Sequence, residues 1–135
     1  MITKAIYDIL TQDAELTGMV SSYKNKPAIF TVDPAPEDAE FPYILTAGET
    51  VQTPWDTKQT RGRQIWRDIR IYSEMDGSAV TVETIAERVR ELLHRTKITG
   101  TNFSSVWTEC EGPTKADDGA SYGRIITIKI TIEEI

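Results

Sequence analysis

The end of the chain alternates isoleucine with polar residues over a long, regular stretch. The residues are Ile126, Ile128, Ile130 and Ile132 on one side and Thr127, Lys129, Thr131 and Glu133 on the other. Successive side chains of a β-strand point to opposite faces, so this alternation is typical of a strand with one buried and one solvated face. Such strands occur mainly in antiparallel sheets. The sequence therefore predicts an antiparallel sheet, with a hairpin joining this strand to the one before it.

A second periodic segment has the spacing of a helix. Apolar residues recur every three or four positions between residues 82 and 93, which places them on one helical face. They are Val82, Ile85, Ala86, Val89, Leu92 and Leu93. Glutamates favour the first half of the segment and arginines the second half, which suits the helix dipole. The sequence predicts an amphipathic helix here and a shorter one over residues 3–10.

Residues 64–72 form another alternating segment, with Ile65, Ile69 and Ile71 on its apolar side. This is the period of a half-buried antiparallel strand. Arg67 interrupts the apolar side. We therefore place Arg67 near the start of the strand, with its charged head in solvent.

The remaining segments complete the prediction of the fold. Residues 41–46 and 103–111 are rich in β-forming residues, whereas residues 28–32 are expected to form at most an edge strand. Residues 48–62 are polar and rich in threonine, so we expect a long loop there. Together these elements predict an α+β fold in which residues 1–135 form a single domain. Its core would be a mainly antiparallel four- to five-stranded sheet with two helices packed on one face.

Charge and composition exclude several classes of protein. The chain has 135 residues and a formal net charge of -6, whereas proteins that grip DNA through its phosphates carry a basic surface. We therefore expect no sequence-specific binding of nucleic acid.

No segment approaches the roughly 20 apolar residues of a membrane span, and the N-terminus lacks the pattern of a signal peptide. Cys110 is the only cysteine, which fits a reducing cytoplasm and a packing role for its side chain.

The residue types needed for catalysis or for a metal centre are scarce. A nucleophilic serine or cysteine needs a histidine, and His94 is the only one in the chain. Zinc needs four cysteine or histidine ligands, and no glycine-rich phosphate-binding motif occurs. Four carboxylates could in principle bind a hard cation such as magnesium: Glu109, Glu111, Asp117 and Asp118. Exposed strand positions followed by a turn explain these residues better than a metal site does. We expect no enzymatic activity, no cofactor and no bound metal.

Aromatic and arginine side chains outside the core pattern are the candidate functional residues. Tryptophan, tyrosine and arginine dominate the contact hot spots between proteins. One interpretation is that the long loop covers the second face of the sheet, so that these rings belong to the core. The other is that they lie at a subunit or partner interface. The predicted interface residues are Trp55, Arg61, Arg63, Trp66 and Trp107.

The order of these segments resembles the small tail-completion proteins of long-tailed bacteriophages, also described as tail terminators or head-to-tail joining proteins. The resemblance covers nearly the whole chain. It rests on the N-terminal helix, the Phe41-Pro42-Tyr43-Ile44 segment, the polar loop, the strand over residues 68–73, the helix over residues 79–93 and the terminal strand over residues 124–132.

This resemblance implies a structural protein of the virion. It implies a homo-oligomeric ring, expected to be hexameric, that caps the head-proximal end of the tail tube, ends tail growth and joins the tail to the head. The partners would be the tail tube protein and the head-side connector protein, and DNA would pass through the ring lumen. Such a protein is made in the host bacterial cytoplasm and becomes part of the virion, without contact with a membrane. The alternatives are another neck or connector adaptor of the phage and a generic non-catalytic protein-binding domain.

Overall fold

The computed structural model describes residues 2–32, 34–46 and 49–135, and the side chains of residues 49 and 50 lie outside this description. The helices in the described part of the chain are α1 (Ile2–Thr11), α2 (Ala14–Thr17) and α3 (Val80–Leu93). The strands are β1 (Ser22–Tyr23), β2 (Lys26–Pro27), β3 (Ile29–Phe30), β4 (Tyr43–Leu45), β5 (Glu49–Pro54), β6 (Gly62–Glu74), β7 (Thr99–Gly100), β8 (Phe103–Lys115) and β9 (Ser121–Glu134).

Seven of these strands form one sheet, while β1 and β2 form a separate ribbon. The order across the sheet is β3, β4, β6, β9, β8, β7, and β5 pairs with β6 as well. Only β3 and β4 run parallel among the described strand pairs. The α+β class is confirmed, but the sheet is larger and more mixed than the predicted four to five antiparallel strands. The additional strands are β5 and β7, and the sheet is mixed because β3, the expected edge strand, runs parallel to β4. The short helix α2 adds a third helix to the predicted two.

Part of the predicted long loop is a strand. Residues 49–54 form β5, which pairs with residues 63–67 of β6. Val51 and Gln52 are both exposed, so β5 buries neither face and its sequence shows no apolar alternation. Threonine and valine favour extended backbone, and pairing with β6 satisfies the peptide groups on that edge of β5. The loop prediction was wrong for residues 49–54, and Gly48 lies outside the described residues.

The two predicted alternating segments pair with each other at the centre of the sheet. Residues 62–74 of β6 lie antiparallel to residues 121–133 of β9 without a register shift. The predicted hairpin between β8 and β9 is confirmed. Helix α3 packs its apolar stripe against the isoleucines of both strands, and each such buried side chain contributes roughly 1.5 to 3 kcal/mol. The enclosed isoleucines are Ile65, Ile69, Ile71, Ile126, Ile128, Ile130 and Ile132.

Arg67 is fully buried in the middle of β6, contrary to the prediction that its head lies in solvent. The strand begins at Gly62, so residue 67 is an interior position that alternation aims inward, together with Ile65 and Ile69. Its guanidinium donates a hydrogen bond to the main-chain carbonyl oxygen of Thr46. A cation removed from water needs such bonds, because burying an unsolvated charge is costly.

An ion pair joins α2 to α3. Asp13 precedes α2, and its carboxylate accepts a hydrogen bond from the Leu16 N–H at 2.9 Å, as an N-cap does. The same carboxylate accepts two hydrogen bonds from Arg88 of α3, at 2.7 Å to Oδ1 and 3.0 Å to Oδ2. The bonds from Arg88 lower the pKa of Asp13, and burial acts in the opposite direction. An ionised Asp13 therefore holds together two elements that are distant in sequence.

Replacing Asp13 with asparagine isolates this ion pair, because asparagine is also a good N-cap. A carboxylate whose pKa is lowered by folding stabilises the protein above its ordinary pKa and loses this effect as the pH falls through the lowered value. We expect Asp13→Asn to unfold at a lower urea concentration than the wild type at neutral pH. The difference should shrink toward zero in acid, as urea unfolding over a pH series would measure.

Asp8→Asn is the matched control. Asp8 pairs with Lys4 at 2.6 Å on the exposed side of α1, and such surface pairs contribute little to stability. We expect little effect of this change at any pH. Equal effects of Asp13→Asn and Asp8→Asn at neutral pH would show that the contact between Asp13 and Arg88 does not stabilise the fold.

Candidate interaction surface

Strand register brings two predicted interface residues to the sheet face opposite the helices. Trp66 of β6 pairs with Lys129 of β9, which pairs with Glu109 of β8. Trp107 lies two residues before Glu109 and so shares its face. The Lys129 Nζ lies 5.4 Å from the centroid of the Trp66 ring, and the Trp107 indole N–H donates to Glu109 Oε2 at 3.2 Å. We call the surface formed by Trp66, Trp107, Glu109 and Lys129 the tryptophan face.

The tryptophan face is partly open to solvent, with Trp66, Glu109 and Lys129 half-buried. Trp107 is 47% exposed, its neighbour Val106 is 50% exposed, and Val51, which pairs with Trp66, is also 50% exposed. The guanidinium carbon of Arg95 lies 5.4 Å from the centroid of the Trp107 ring. Neighbouring exposed apolar side chains rimmed by charges are typical of protein contact surfaces.

Aromatic side chains occupy the other end of this outer face. Tyr43 of β4 pairs with Tyr72 of β6, and their ring centroids lie 5.7 Å apart. The Phe41 ring stacks on the Tyr43 ring, with a centroid distance of 5.1 Å. Phe30 approaches the Tyr43 ring edge-on, with a centroid distance of 6.0 Å. Residues that precede β6 therefore pack over one end of the face. Residues 49–54, which were the candidate cover for these tryptophans, extend the sheet sideways as β5 instead.

Trp55 fixes the turn between β5 and β6. The main-chain N–H of Trp55 donates to the Gly62 carbonyl oxygen at 2.8 Å. Asp56 Oδ1 accepts a hydrogen bond from the Gly62 N–H at 3.2 Å. A Cβ atom on Gly62 would lie 2.9 Å from Cε3 of the Trp55 ring, so the glycine makes room for the indole. Trp55 is half-buried. Since Gly62 shares a strand face with Trp66, this ring lies at the hairpin end of the outer face.

The two predicted arginines lie near the same hairpin but outside the tryptophan face. Arg61 is exposed, and its carbonyl oxygen accepts a hydrogen bond from the Glu134 N–H at 2.8 Å. The Arg63 Nε donates to Glu134 Oε1 at 2.9 Å, and its Nη1 donates to Gln52 Oε1 at 3.1 Å. Residue 63 is three positions from Trp66, so strand alternation points the two side chains to opposite faces. The structure thus groups the three tryptophans and separates Arg63 from them.

Sequence reasoning missed Lys129 and Val51. The alternation of β9 placed Lys129 on the polar face, but only the register shows that Trp66 is its neighbour. Val51 lies in a segment without periodicity, so the sequence carried no signal that it pairs with Trp66.

The groups weighed as candidates for chemistry have structural roles. Burial raises the pKa of the Cys110 thiol to about 11, which keeps it protonated at neutral pH. The Cys110 N–H donates to His94 Nδ1 at 3.0 Å. Asp117 accepts a hydrogen bond from the Gly123 N–H at 3.0 Å and Asp118 accepts one from Ser121 N–H at 2.7 Å, so both shape the turn between β8 and β9.

Neither a metal cluster nor a membrane helix is found in residues 2–32, 34–46 and 49–135. Within these ranges, no three histidine, cysteine, aspartate or glutamate side chains come together as a metal site would require. No helix there has the length and apolar character needed to cross a membrane.

Comparison with known proteins gives one family and two similar structures. The family described as tail completion protein gp17 matches residues 4–133. A chain from the virion of a native gene transfer agent particle is 18% identical, with a TM-score of 0.78 over 99% of this chain and 95% of that chain. The bacteriophage SPP1 gp17 protein is 23% identical, with a TM-score of 0.57 over 96% of this chain and 87% of that chain. No curated protein matches the chain in sequence.

The close packing around Gly62 can be tested by Gly62→Ala. The new methyl group would lie 2.5 Å from the Trp55 carbonyl oxygen and 2.7 Å from the Ile132 carbonyl oxygen, so the hairpin must shift. We expect a loss of about 1 to 3 kcal/mol in the free energy of unfolding and faster hydrogen exchange at residues that pair between β5 and β6. Gly18→Ala is the control, because Gly18 has an ordinary helical φ of -74° and its nearest neighbour would be 3.3 Å away. Equal protection of the hairpin in both variants would contradict this account of the packing around Gly62.

Proposed function

Because the chain belongs to the tail completion protein gp17 family of phage tail structural proteins, we propose that it is a subunit of a hexameric ring that caps a tail tube. The ring closes the head-proximal end of the tube, ends tail growth and joins the tail to the head. Its partners are further copies of itself, the tail tube protein and the head-side connector protein. The protein is made in the host bacterial cytoplasm and then becomes part of the virion.

The open tryptophan face is the observation that best supports an assembled state. Trp107 is 47% exposed, lies beside Val106 and shares its sheet face with Trp66. The other end of this face is packed with aromatic rings. Buried tryptophans near the centre of an interface often contribute most of its binding energy. A neighbouring subunit or the tube would remove these side chains from water.

The chain also offers the two different surfaces that a ring requires. In a cyclic assembly, one patch of each subunit contacts a different patch of the next subunit. Among the described strands, β5 pairs only with β6, so its other edge is open. β5 also contains Pro54, and proline is tolerated in edge strands. The tryptophan face and the helix-bearing face lie on opposite sides of the sheet, so they can serve separate neighbours.

The charge of the chain suits a lumen through which DNA moves. The formal net charge is -6, so the subunit as a whole does not attract phosphates strongly. Weak attraction allows DNA to slide, whereas a basic lumen would hold it. We expect binding to duplex DNA to be undetectable at physiological salt.

The ring is tested by measuring the mass of the protein in solution over a concentration series, followed by negative-stain imaging of any large species. We expect six-fold rings, or rings that appear when purified tail tubes are added as a template. A protein that stays monomeric and does not associate with tubes would instead support a plain binding domain. A protein that binds only the connector would support an adaptor.

Trp107→Ala should weaken assembly without unfolding the subunit. Trp107 is 47% exposed and also contacts Arg95 and Glu109, so its loss should lower the free energy of unfolding by about 1 to 2 kcal/mol, which leaves the subunit folded. If it is a contact hot spot, the dissociation constant of the assembly should rise at least about tenfold. Val80→Ala is the control, because Val80 is an apolar residue 67% exposed at the start of α3. Equal assembly of the two variants would exclude the tryptophan face as the interface.

A further inference from the structure

The turn between β5 and β6 carries two free cations. Lys58 and Arg61 are exposed, and neither makes an ion pair with any described residue. Asp56 lies in the same turn, but its carboxylate accepts the hydrogen bond from the Gly62 N–H. The turn is held in shape by a hydrogen bond from Thr57 N–H to the Thr60 carbonyl oxygen at 2.9 Å. We call residues 55–61 the cationic turn.

An acidic groove runs along the outer side of α3. Glu83, Glu87 and Glu91 are all exposed and recur every four residues, so they lie on one side of the helix. They line a groove of about 330 Å³ whose other lining residues are Glu15, Met19, Thr84 and Arg88. We call this surface the acidic groove.

Two arginines offset part of this negative charge. Arg124 pairs with Glu83 at 3.1 Å. Arg88, which also bonds to Asp13, pairs with Glu91 at 3.0 Å and with Glu15 at 3.3 Å. Glu87 lies between these pairs and makes no ion pair with any residue that the structure describes. The middle of the groove therefore keeps an uncompensated negative charge, next to the apolar side chain of Met19.

The cationic turn and the acidic groove cannot meet within one copy. Glu83 is tied to Arg124 near the start of β9, whereas the turn adjoins Glu134 at the end of that strand. The ten residue steps from Arg124 to Glu134 span about 33 Å of extended strand. The groove follows the helix from Glu83 to Glu91, which is only about 12 Å long. The groove therefore does not reach the turn.

We propose that the cationic turn of one copy docks into the acidic groove of the next copy, with Lys58 and Arg61 against Glu87. This inference rests on the proposed ring and names one of its contacts. The occupant is a second copy because the chain itself carries both complementary patches, on different parts of its surface, as a head-to-tail contact requires. Met19 can pack against the aliphatic stems of the cations. In a chain with a net charge of -6, such a contact offsets the general repulsion between copies.

Cysteine cross-linking tests the contact even where assembly is weak. The only native thiol, Cys110, is buried, so thiols introduced at the surface react selectively. A chain carrying both Gln59→Cys in the turn and Thr84→Cys in the groove keeps Lys58, Arg61 and Glu87, and treatment with a short bismaleimide, alone and on tail tubes, should give a ladder of covalent multimers. The single variants can link only like positions and should give no more than dimers. If the double variant yields no species beyond those of the single variants, the proposed docking is wrong.

Charge reversal separates this inference from the proposed ring. Lys58→Glu combined with Arg61→Glu should raise the dissociation constant of the assembly at least about tenfold, and adding Glu87→Lys in the same chain should recover most of the loss. Lys24→Glu with Lys26→Glu is the matched control, because both lysines are exposed in the β1–β2 ribbon. Rings that persist in the reversed variant would disprove the docking and leave the ring standing. Failure of the wild type to form rings even on tubes, with no ladder, would disprove both.

Discussion

The pairing of β6 with β9 is the constraint on which the rest of the structure depends. The two strands stay in register from Gly62 opposite Glu133 to Glu74 opposite Ser121. A slip of one residue would turn Ile126, Ile128, Ile130 and Ile132 outward and both threonines of β9 inward. The same register gives α3 an apolar surface to pack on and sets Trp66 beside Lys129 on the opposite face. Core and candidate surface are thus two consequences of one ladder of hydrogen bonds.

The central elements could be predicted from the sequence because their side chains are buried on one side only. The isoleucines of β9 and the apolar stripe of α3 show their burial as a period in the sequence. β5 could not be predicted in this way, since it is held by backbone pairing to β6 and exposes Val51 and Gln52 together. Arg67 misled the prediction because a charged residue at an inward position normally marks a strand end, whereas here it donates to Thr46. Local patterns report burial, and both exceptions depend on contacts across the sheet.

The candidate surface was predictable in its residue types but not in its arrangement. Tryptophans outside the apolar pattern pointed to contacts with other proteins, yet only the register shows that Trp66 and Trp107 share one face. The order of elements resembled tail-completion proteins, and the family match over residues 4–133 confirms that resemblance. Family membership gives a structural role in the phage tail. The open tryptophan face, the free edge of β5 and the separated charges of the cationic turn and acidic groove are the features from which we propose how copies meet.

Electron microscopy of tail tubes grown with and without the protein tests the central claim most directly. If the protein caps the tube as a ring, tubes grown in its presence should stop at shorter lengths. Each should carry one extra six-fold density at a single end, and capped tubes should not lengthen when more tube protein is added. Tubes that grow to the same length and carry the protein along their sides, or not at all, would contradict the account.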